Sequence, residues 1–210
     1  MIPVLLTIMI GYVSGSLPFG LWLGLAFRGV DVRRVGSGNL GATNVFRSLG
    51  RALGIATLTL DMAKGALPVW IVPATPLADS FPGGPQMCGI VVGLSAVAGH
   101  VWTMFAGFKG GKGVATMAGV LLALAPPAFL VFASVFVATI AFTRYISLGS
   151  ILGSLAFAAA IALMKTYGPT SPTFAFAVLV TGIVILRHRE NLRRLVHGEE
   201  SKFTWGQVRR

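Results

Sequence analysis

Residues 36–47 have the clearest capacity for chemistry, because three glycines, two hydroxyls, two amides and an arginine occur together there. Glycines let backbone N–H groups approach a ligand closely, and successive N–H groups form an anion-binding concavity. Hydroxyl, amide and guanidinium donors suit phosphate oxygens. The stretch therefore predicts a phosphate site, with an ordinary polar turn as the alternative. The candidate binding residues are Ser37, Gly38, Asn39, Gly41, Thr43, Asn44 and Arg47.

A second glycine-rich turn, residues 108–113, places two lysines just before an apolar segment. A helix N-terminus adds partial positive charge and free N–H groups, so this turn predicts a second anion cradle. Gly113 follows Lys112 where a P-loop requires Ser or Thr, which argues against nucleotide and Mg²⁺ binding. The alternatives are positive-inside anchoring for the lysines and a structural role at a helix end for the histidine. The candidates are His100, Lys109, Gly110, Gly111, Lys112 and Thr116.

A third polar cluster lies in the basic segment 187–202. His188 and Asn191 are three residues apart and are predicted to share a helix face. An imidazole titrates near neutral pH, and an amide beside it can orient a hydroxyl. The pair is therefore predicted to act as a base and an orienting group, whereas the surrounding arginines are interpreted as the basic flank of a membrane segment.

Two further ionisable residues, Asp61 and Lys64, lie within an apolar segment. Intramembrane ionisable residues are candidates for function, but a spacing of three favours a structural ion pair. Cys88 is the one cysteine, which excludes an internal disulfide and a multi-cysteine metal site. No cofactor and no metal are predicted.

The composition is that of a membrane protein, because 55% of the 210 residues are hydrophobic and 11% are charged. The net charge of +11 is concentrated at the ends of apolar segments, which favours membrane orientation and anionic ligands over nucleic acid. No cleavable signal peptide is predicted, because the first apolar stretch lacks a basic n-region. Segments of suitable length and apolarity for a lipid bilayer are 2–27, 52–72, 88–105, 114–142, 146–164 and 172–186.

The polar joints predict the orientation of these segments. Residues 28–51 carry five arginines, residues 107–113 two lysines and the tail from Arg187 seven basic residues, so these three regions are predicted to be cytoplasmic. Residues 73–87 carry no Lys or Arg and are predicted to lie outside. Six crossings from an outside N-terminus would leave the basic tail outside, which contradicts its charge.

We therefore divide residues 114–142 at Pro126-Pro127, where proline breaks a helix, into 114–125 and 127–142. The predicted fold class is an all-α, polytopic membrane bundle of about seven transmembrane helices in a single domain, 1–210. Its N-terminus is predicted outside and its C-terminus in the cytoplasm. The alternative keeps one long tilted helix and makes another segment re-entrant.

Together the three clusters resemble a family of bacterial membrane enzymes, the acyl-phosphate:glycerol-3-phosphate acyltransferases. The resemblance covers nearly the full length and includes three motifs. The first comprises residues 14–20 with 36–47, and the second residues 99–100 with 108–116. The third comprises Arg187, His188, Asn191, Arg194, Gly198 and Lys202.

The resemblance implies transfer of a fatty acyl group from acyl phosphate to the 1-hydroxyl of glycerol 3-phosphate, giving lysophosphatidic acid and phosphate. This is the committed step of bacterial phospholipid synthesis. It implies a multi-pass protein of the bacterial inner membrane, with its active site on the cytoplasmic side and the acyl chain between apolar helices. It further implies that the first motif holds the acyl-phosphate phosphate. The residues implied around glycerol 3-phosphate are Ser37, Arg47, Lys109, His188 and Asn191.

An acyl phosphate is an activated mixed anhydride, so the reaction needs positioning, charge stabilisation and removal of one proton. Direct attack by the glycerol hydroxyl is the predicted reaction. Either His188 or a substrate phosphate accepts the proton, and the sequence does not choose between them. Alternatives from other classes are a transporter of organic phosphates, disfavoured by the lack of an inverted repeat, and a scaffold with a basic lipid-binding tail.

Overall fold

The structure, a computed structural model, describes residues 1–204. Regular structure in this range is all helical, as predicted, with short 3-10 turns between some of the α-helices. The helices are α1 (Ile2–Ser16), α2 (Phe19–Arg28), α3 (Ala42–Leu49), α4 (Arg51–Ile71), α5 (Gly84–Val101), α6 (Val114–Leu124), α7 (Pro126–Thr143), α8 (Ile146–Leu163), α9 (Pro172–Arg187) and α10 (Arg189–Val196).

Most of these helices are long and apolar enough to cross a membrane. Within residues 1–204 there are five such spans, the first formed by α1 and α2 together, and the bent pair α9 and α10 makes up to six. Large apolar side chains point outward, for example Phe142 at 90% exposure and Leu163 at 85%. Apolar surface of this extent suits lipid. The predicted polytopic membrane fold is confirmed, whereas the seventh crossing and the orientation stay predictions.

The first span, predicted as one uninterrupted segment, is broken between α1 and α2. Leu17 has an extended backbone, with φ −60° and ψ 112°, and Pro18 follows it. The proline ring crowds the preceding residue out of the helical conformation, which explains the break. The joint of Leu17 and Pro18 sets the direction in which α2 leaves α1.

The predicted break at Pro126-Pro127 is confirmed. α6 ends at Leu124 and α7 begins at Pro126, so both prolines occupy the first turn of a helix, where the missing N–H groups are tolerated. The 11 residues of α6 measure about 17 Å at 1.5 Å per residue.

Residues 1–124 form one compact unit and residues 125–204 another. In the first unit α1 packs against α5, α4 against α6, and α3 against α4. A side chain at Gly15 would collide with the backbone of Ala96 in α5, and one at Gly65 would collide with the carbonyl of Thr116 in α6. Glycines at these crossings therefore let the helices approach closely.

In the second unit α8 packs against both α7 and α9, and α10 contacts α8 and α9. The chain after α10 folds back toward the turn between α7 and α8. There the N–H of Phe203 donates to the carbonyl of Arg144 at 2.6 Å, and the Phe203 side chain is buried. The C-terminal segment is thus fixed to the start of α8. A single domain over the whole chain stays a prediction.

Candidate active site

The first loop, residues 35–41, leads from a 3-10 turn into α3 and is shaped by Asn44. The Asn44 amide nitrogen lies 2.9–3.1 Å from three backbone carbonyl oxygens, those of Val32, Val35 and Asn39. Its Oδ1 accepts the backbone N–H of Ser37 at 2.9 Å. Asn44 is 4% exposed. Its hydrogen-bonding groups therefore fold the loop, although the sequence analysis placed this residue among the substrate contacts.

Ser37 and Gly38 lie at the exposed tip of the first loop. Gly36 and Gly38 have φ values of +58° and +68°, a left-handed conformation that glycine adopts without steric cost. Asn39 Oδ1 accepts the N–H of Gly41 at 2.8 Å, and α3 begins at the next residue. The loop thus leads into a helix N-terminus, as predicted for an anion site, while the N–H groups of Ser37, Gly38 and Gly41 donate to acceptors of the loop itself and of α3.

Two arginines beside the first loop have different surroundings. Arg33 is bound to Asp31, with Nη2 2.7 Å from Oδ2 and Nε 3.0 Å from Oδ1. Hydrogen bonds from the Arg33 side chain and backbone lower the pKa of Asp31 to about 2. Arg47 and Thr43 lie half-buried on α3. Arg47, the predicted phosphate ligand, lies on the helix that follows the first loop, whereas the charge of Arg33 is neutralised by its neighbour.

The second loop, residues 102–113, folds back onto the end of α5. The N–H groups of Gly110 and Gly111 donate to the carbonyls of Val101 and His100, at 3.1 and 3.2 Å respectively. A side chain at Gly111 would collide with the His100 imidazole, so the glycine backbone packs directly beside the ring. His100 therefore stabilises the glycine-rich turn through its carbonyl and through packing of its ring.

The lysines of the second loop precede α6. Lys109 is exposed, Lys112 is half-buried, and α6 starts at Val114. Thr116 is buried within the first turn of α6, where its carbonyl lies at the crossing with α4. The structure thus places the two lysines in a turn that leads into a helix, as predicted, and places Thr116 at a helix–helix contact.

The two loops of the first unit share one apolar cluster. Its members come from α2, the 3-10 turn before the first loop, the first loop, α3 and the second loop: Leu21, Val32, Leu40, Val45, Leu49 and Ala106. The first and second polar clusters, distant in sequence, are therefore brought together by a common core.

The third cluster lies in the second unit, at the junction of α9 and α10. These helices meet at His188 with a bend of 59°, so His188 and Asn191 flank a helix start and do not share an uninterrupted helix. His188 Nδ1 lies 2.8 Å from the carbonyl of Val184. A carbonyl only accepts, so Nδ1 carries a proton and Nε2 is the basic nitrogen of the neutral ring.

Glu200, absent from the predicted site residues, holds Asn191 in place. Its Oε1 accepts the Asn191 amide and the Ser147 hydroxyl, both at 2.7 Å, and its Oε2 accepts Arg194 Nε at 2.8 Å. Burial raises the pKa of Glu200, but these hydrogen bonds outweigh it and the net pKa is lowered. The feature of the sequence that could have identified Glu200 is its position as an acidic residue within a strongly basic segment. Within residues 1–204 no three His, Cys, Asp or Glu side chains group to hold a metal ion.

The fold defines a class, an integral membrane protein of helical spans, in which two glycine-rich loops lead into helix N-termini. A family model described as glycerol-3-phosphate acyltransferase matches residues 5–198. The chain belongs to this family and is an integral membrane enzyme, so the resemblance found in the sequence is confirmed.

Similar proteins include the glycerol-3-phosphate acyltransferase of Geobacter sulfurreducens, 47% identical over 195 residues, which are 92% of this chain and 94% of that protein. The protein of the same name from Trichlorobacter lovleyi is 49% identical over 193 residues, 91% and 93% of the two chains.

Two crystal structures of PlsY (YgiH), an integral membrane glycerol 3-phosphate acyltransferase, share this fold. The glycerol 3-phosphate form has a TM-score of 0.84 and 36% identity, covering 96% of both chains. The lysophosphatidic acid form has a TM-score of 0.82 and 35% identity, covering 96% of this chain and 95% of that one.

Proposed function

We propose that this enzyme transfers a fatty acyl group from acyl phosphate to the 1-hydroxyl of glycerol 3-phosphate, giving lysophosphatidic acid and phosphate. The observation that carries the proposal is the pair of glycine-rich loops in the first unit, each leading into a helix N-terminus and both packed on one core. Two anion cradles suit two phosphate-bearing substrates. The family membership of the chain supports the acceptor.

The two loops have separate roles in this proposal. The first loop and the N-terminus of α3 hold the phosphate of the acyl donor through Asn39 and Thr43, and Ser37 contacts glycerol 3-phosphate. Arg47 and Lys109 bind the phosphate of glycerol 3-phosphate, because guanidinium and ammonium groups make charge-assisted hydrogen bonds with phosphate. Asn44 acts by shaping the first loop, as its contacts indicate.

The reaction needs no covalent enzyme intermediate. The 1-hydroxyl oxygen attacks the carbonyl carbon of the acyl phosphate, the bond from that carbon to the phosphate oxygen breaks, and phosphate leaves with the electron pair. The hydroxyl proton passes to His188 Nε2, which the contact of Nδ1 with Val184 leaves as the basic nitrogen. Asn191, held by Glu200, orients the hydroxyl.

We further propose that the protein lies in the bacterial inner membrane, with both loops and the basic tail on the cytoplasmic side. This orientation requires seven crossings, with α6 and α9 each counted as one. The positive-inside tendency supports it, because 15 of the 17 basic residues then face the cytoplasm.

The donor is tested by supplying purified protein with glycerol 3-phosphate and either an acyl phosphate or an acyl-CoA, and measuring lysophosphatidic acid. We expect product with acyl phosphate, with one phosphate released per product and no phosphate released when glycerol 3-phosphate is omitted. Preference for acyl-CoA would contradict the proposal that acyl phosphate is the donor. Acceptor transport without product would overturn catalysis.

The role of Lys109 is tested in the same assay by Lys109→Met, with Lys165→Met as the matched control. Both lysines are exposed, but Lys165 lies in the turn between α8 and α9. Loss of a charge-assisted hydrogen bond to the acceptor's phosphate costs about 1.5–3 kcal/mol, which lowers kcat/KM for glycerol 3-phosphate by about 10- to 100-fold. We expect a loss of this order for Lys109→Met and wild-type kinetics for Lys165→Met. Equal kinetics for the two variants would remove Lys109 from the site.

A further inference from the structure

Asp61 and Lys64 form an ion pair inside the membrane-spanning helix α4. Lys64 Nζ lies 2.7 Å from Asp61 Oδ1, and the two residues are 4% and 1% exposed respectively. Removing two charges from water is costly, and apolar replacement of a buried ion pair often leaves a protein equally stable. Stability alone therefore explains the pair poorly, and its additional contacts indicate another role.

Lys64 also holds the joint between α1 and α2. Its Nζ donates to the carbonyl of Leu17 at 2.7 Å and lies 5.6 Å from the centre of the Phe19 ring. The proline after Leu17 interrupts the helical hydrogen bonds, so carbonyl groups at the joint need partners from other elements. Lys64 supplies one of these partners from α4.

Thr103 supplies the other partner. Its hydroxyl donates to the carbonyl of Ser16, the residue before Leu17, and its side chain is buried. Thr103 belongs to the second loop. The joint that sets the direction of α2 is therefore tied directly to the loop that carries Lys109.

Asp61 also lies close to His100, at the end of α5 onto which the second loop folds. Its Oδ1 lies 3.8 Å from His100 Nδ1. The carbonyl of His100 accepts the Gly111 N–H, and the imidazole packs against Gly111. Asp61 thus lies beside the ring against which the glycine-rich turn packs.

A small cavity of about 10 Å³ joins these contacts to the first loop. Six of its lining residues are Ser16, Leu40, Asp61, Lys64, His100 and Thr103. Leu40 belongs to the first loop and to its apolar cluster. The ion pair therefore lies where the first loop, the second loop and the α1–α2 joint meet.

We propose that Asp61, Lys64 and Thr103 are positioning residues for acyl transfer, which hold the joint of α1 and α2 and thereby fix the two phosphate-binding loops in one arrangement. This proposal rests on the proposed function, because its consequence is kinetic. The three residues touch no substrate. They act through Leu17, Ser16 and His100.

The ion pair is tested with the double variant Asp61→Asn/Lys64→Met, which removes both charges while keeping similar side-chain volumes. We expect its thermal midpoint in detergent to fall modestly, because the Leu17 carbonyl loses one donor, and not severely, because no unpaired charge is left buried. Misplaced loops lower turnover, so kcat/KM for glycerol 3-phosphate should fall by about 10- to 100-fold. A folded double variant with wild-type kcat/KM would overturn the proposal.

Thr103→Val provides a second test that changes no buried charge, and Thr7→Val is its matched control. Both threonines are buried and donate to a backbone carbonyl, but the acceptor of Thr7 is Pro3 in its own helix. We expect both variants to lose similar stability and only Thr103→Val to lose kcat/KM. Equal kinetics in the two variants would overturn the proposal even where the double variant fails to fold. Absence of acyl transfer by the wild type in the same assay would instead overturn the proposed function.

Discussion

At the residue scale, side chains that shape the loops have contacts different from those expected of substrate ligands. The Asn44 amide is surrounded by backbone groups of the first loop, whereas Ser37 and Lys109 are exposed. The composition of a loop reveals that it is rich in hydrogen-bond donors, and the sequence therefore predicted which loops belong to the site. It does not reveal which donors turn inward, because that depends on the loop's three-dimensional path.

Asn44 and Asn39 are predicted to respond differently to replacement by aspartate. Asn44→Asp loses the nitrogen that faces three carbonyls, whereas Asn39→Asp keeps the oxygen that accepts the Gly41 N–H. Loss of buried hydrogen bonds costs about 1–3 kcal/mol, so Asn44→Asp should lower the thermal midpoint. Asn39→Asp should leave it nearly unchanged. The measurement is thermal unfolding in detergent, and equal midpoints would contradict this role of Asn44.

His188 is predicted to be the base. His188→Asn keeps a donor for the Val184 carbonyl but removes Nε2, so the local fold is preserved while proton transfer is lost. General-base catalysis contributes about 10²- to 10⁴-fold, and kcat should fall by that order. Turnover at saturating substrates is compared after confirming an unchanged thermal midpoint. Wild-type turnover would assign the proton to a substrate phosphate.

Glu200 is predicted to make the protein sensitive to acid. Its pKa is lower in the folded protein, so the stabilisation by its three hydrogen bonds is complete above the unfolded value of about 4.3 and is lost as the pH falls through the lower folded value. Between about pH 5 and about pH 3 the wild type should lose more thermal stability than Glu200→Gln. Parallel pH profiles would contradict the assignment. Asp31 titrates in both proteins and cancels in the comparison.

At the element scale, breaks in helices decide where the polar clusters lie. The break at Pro126 was predictable because a proline pair interrupts a long apolar run. The break at Pro18 could have been predicted in the same way, but Pro18 lies within an apolar segment whose length fits a single span. The bend at His188 involves neither proline nor glycine, so packing in the second unit determines it and local sequence gives no warning.

The α4–α6 crossing is predicted to tolerate no side chain at Gly65. Gly65→Ala would place its methyl group against the Thr116 carbonyl, whereas Gly182→Ala in α9 meets nothing within 4 Å. Overpacking costs about 1–3 kcal/mol, so Gly65→Ala should lower the thermal midpoint and impair the second loop, which enters α6 beside this crossing. Gly182→Ala should be neutral or mildly stabilising, because alanine favours a helix. Equal midpoints for the two variants would show that α6 can shift.

At the scale of the whole molecule, the predicted orientation in the membrane rests on the positions of the basic residues. Hydropathy located the membrane segments, and family membership followed from three motifs spread along the chain. The crossing count required an additional argument from charge, because α6 is shorter than an ordinary span. Sequence alone also gave no reason to divide the chain into units, since α6 and α7, the helices before and after the division, are both apolar.

The orientation is tested by single cysteines in a Cys88→Ala background. Ser37→Cys and His197→Cys should react with a membrane-impermeant maleimide only from the cytoplasmic face, and Asp79→Cys and Lys165→Cys only from the other. All four positions are exposed, so differences in reactivity report sidedness. Labelling of the first two positions from opposite faces would exclude their participation in one reaction.

The shortness of α6 bears on how water and lipid meet in this enzyme. A helix of about 17 Å falls some 13 Å short of a hydrocarbon layer of about 30 Å. If α6 crosses the bilayer, either the bilayer is locally thinner beside this helix or a polar cavity extends into it beside Val114. Under the proposed function, either arrangement lets the hydrophilic acceptor reach the depth of the donor's carbonyl carbon, so that the fatty chain stays in the hydrocarbon layer during transfer.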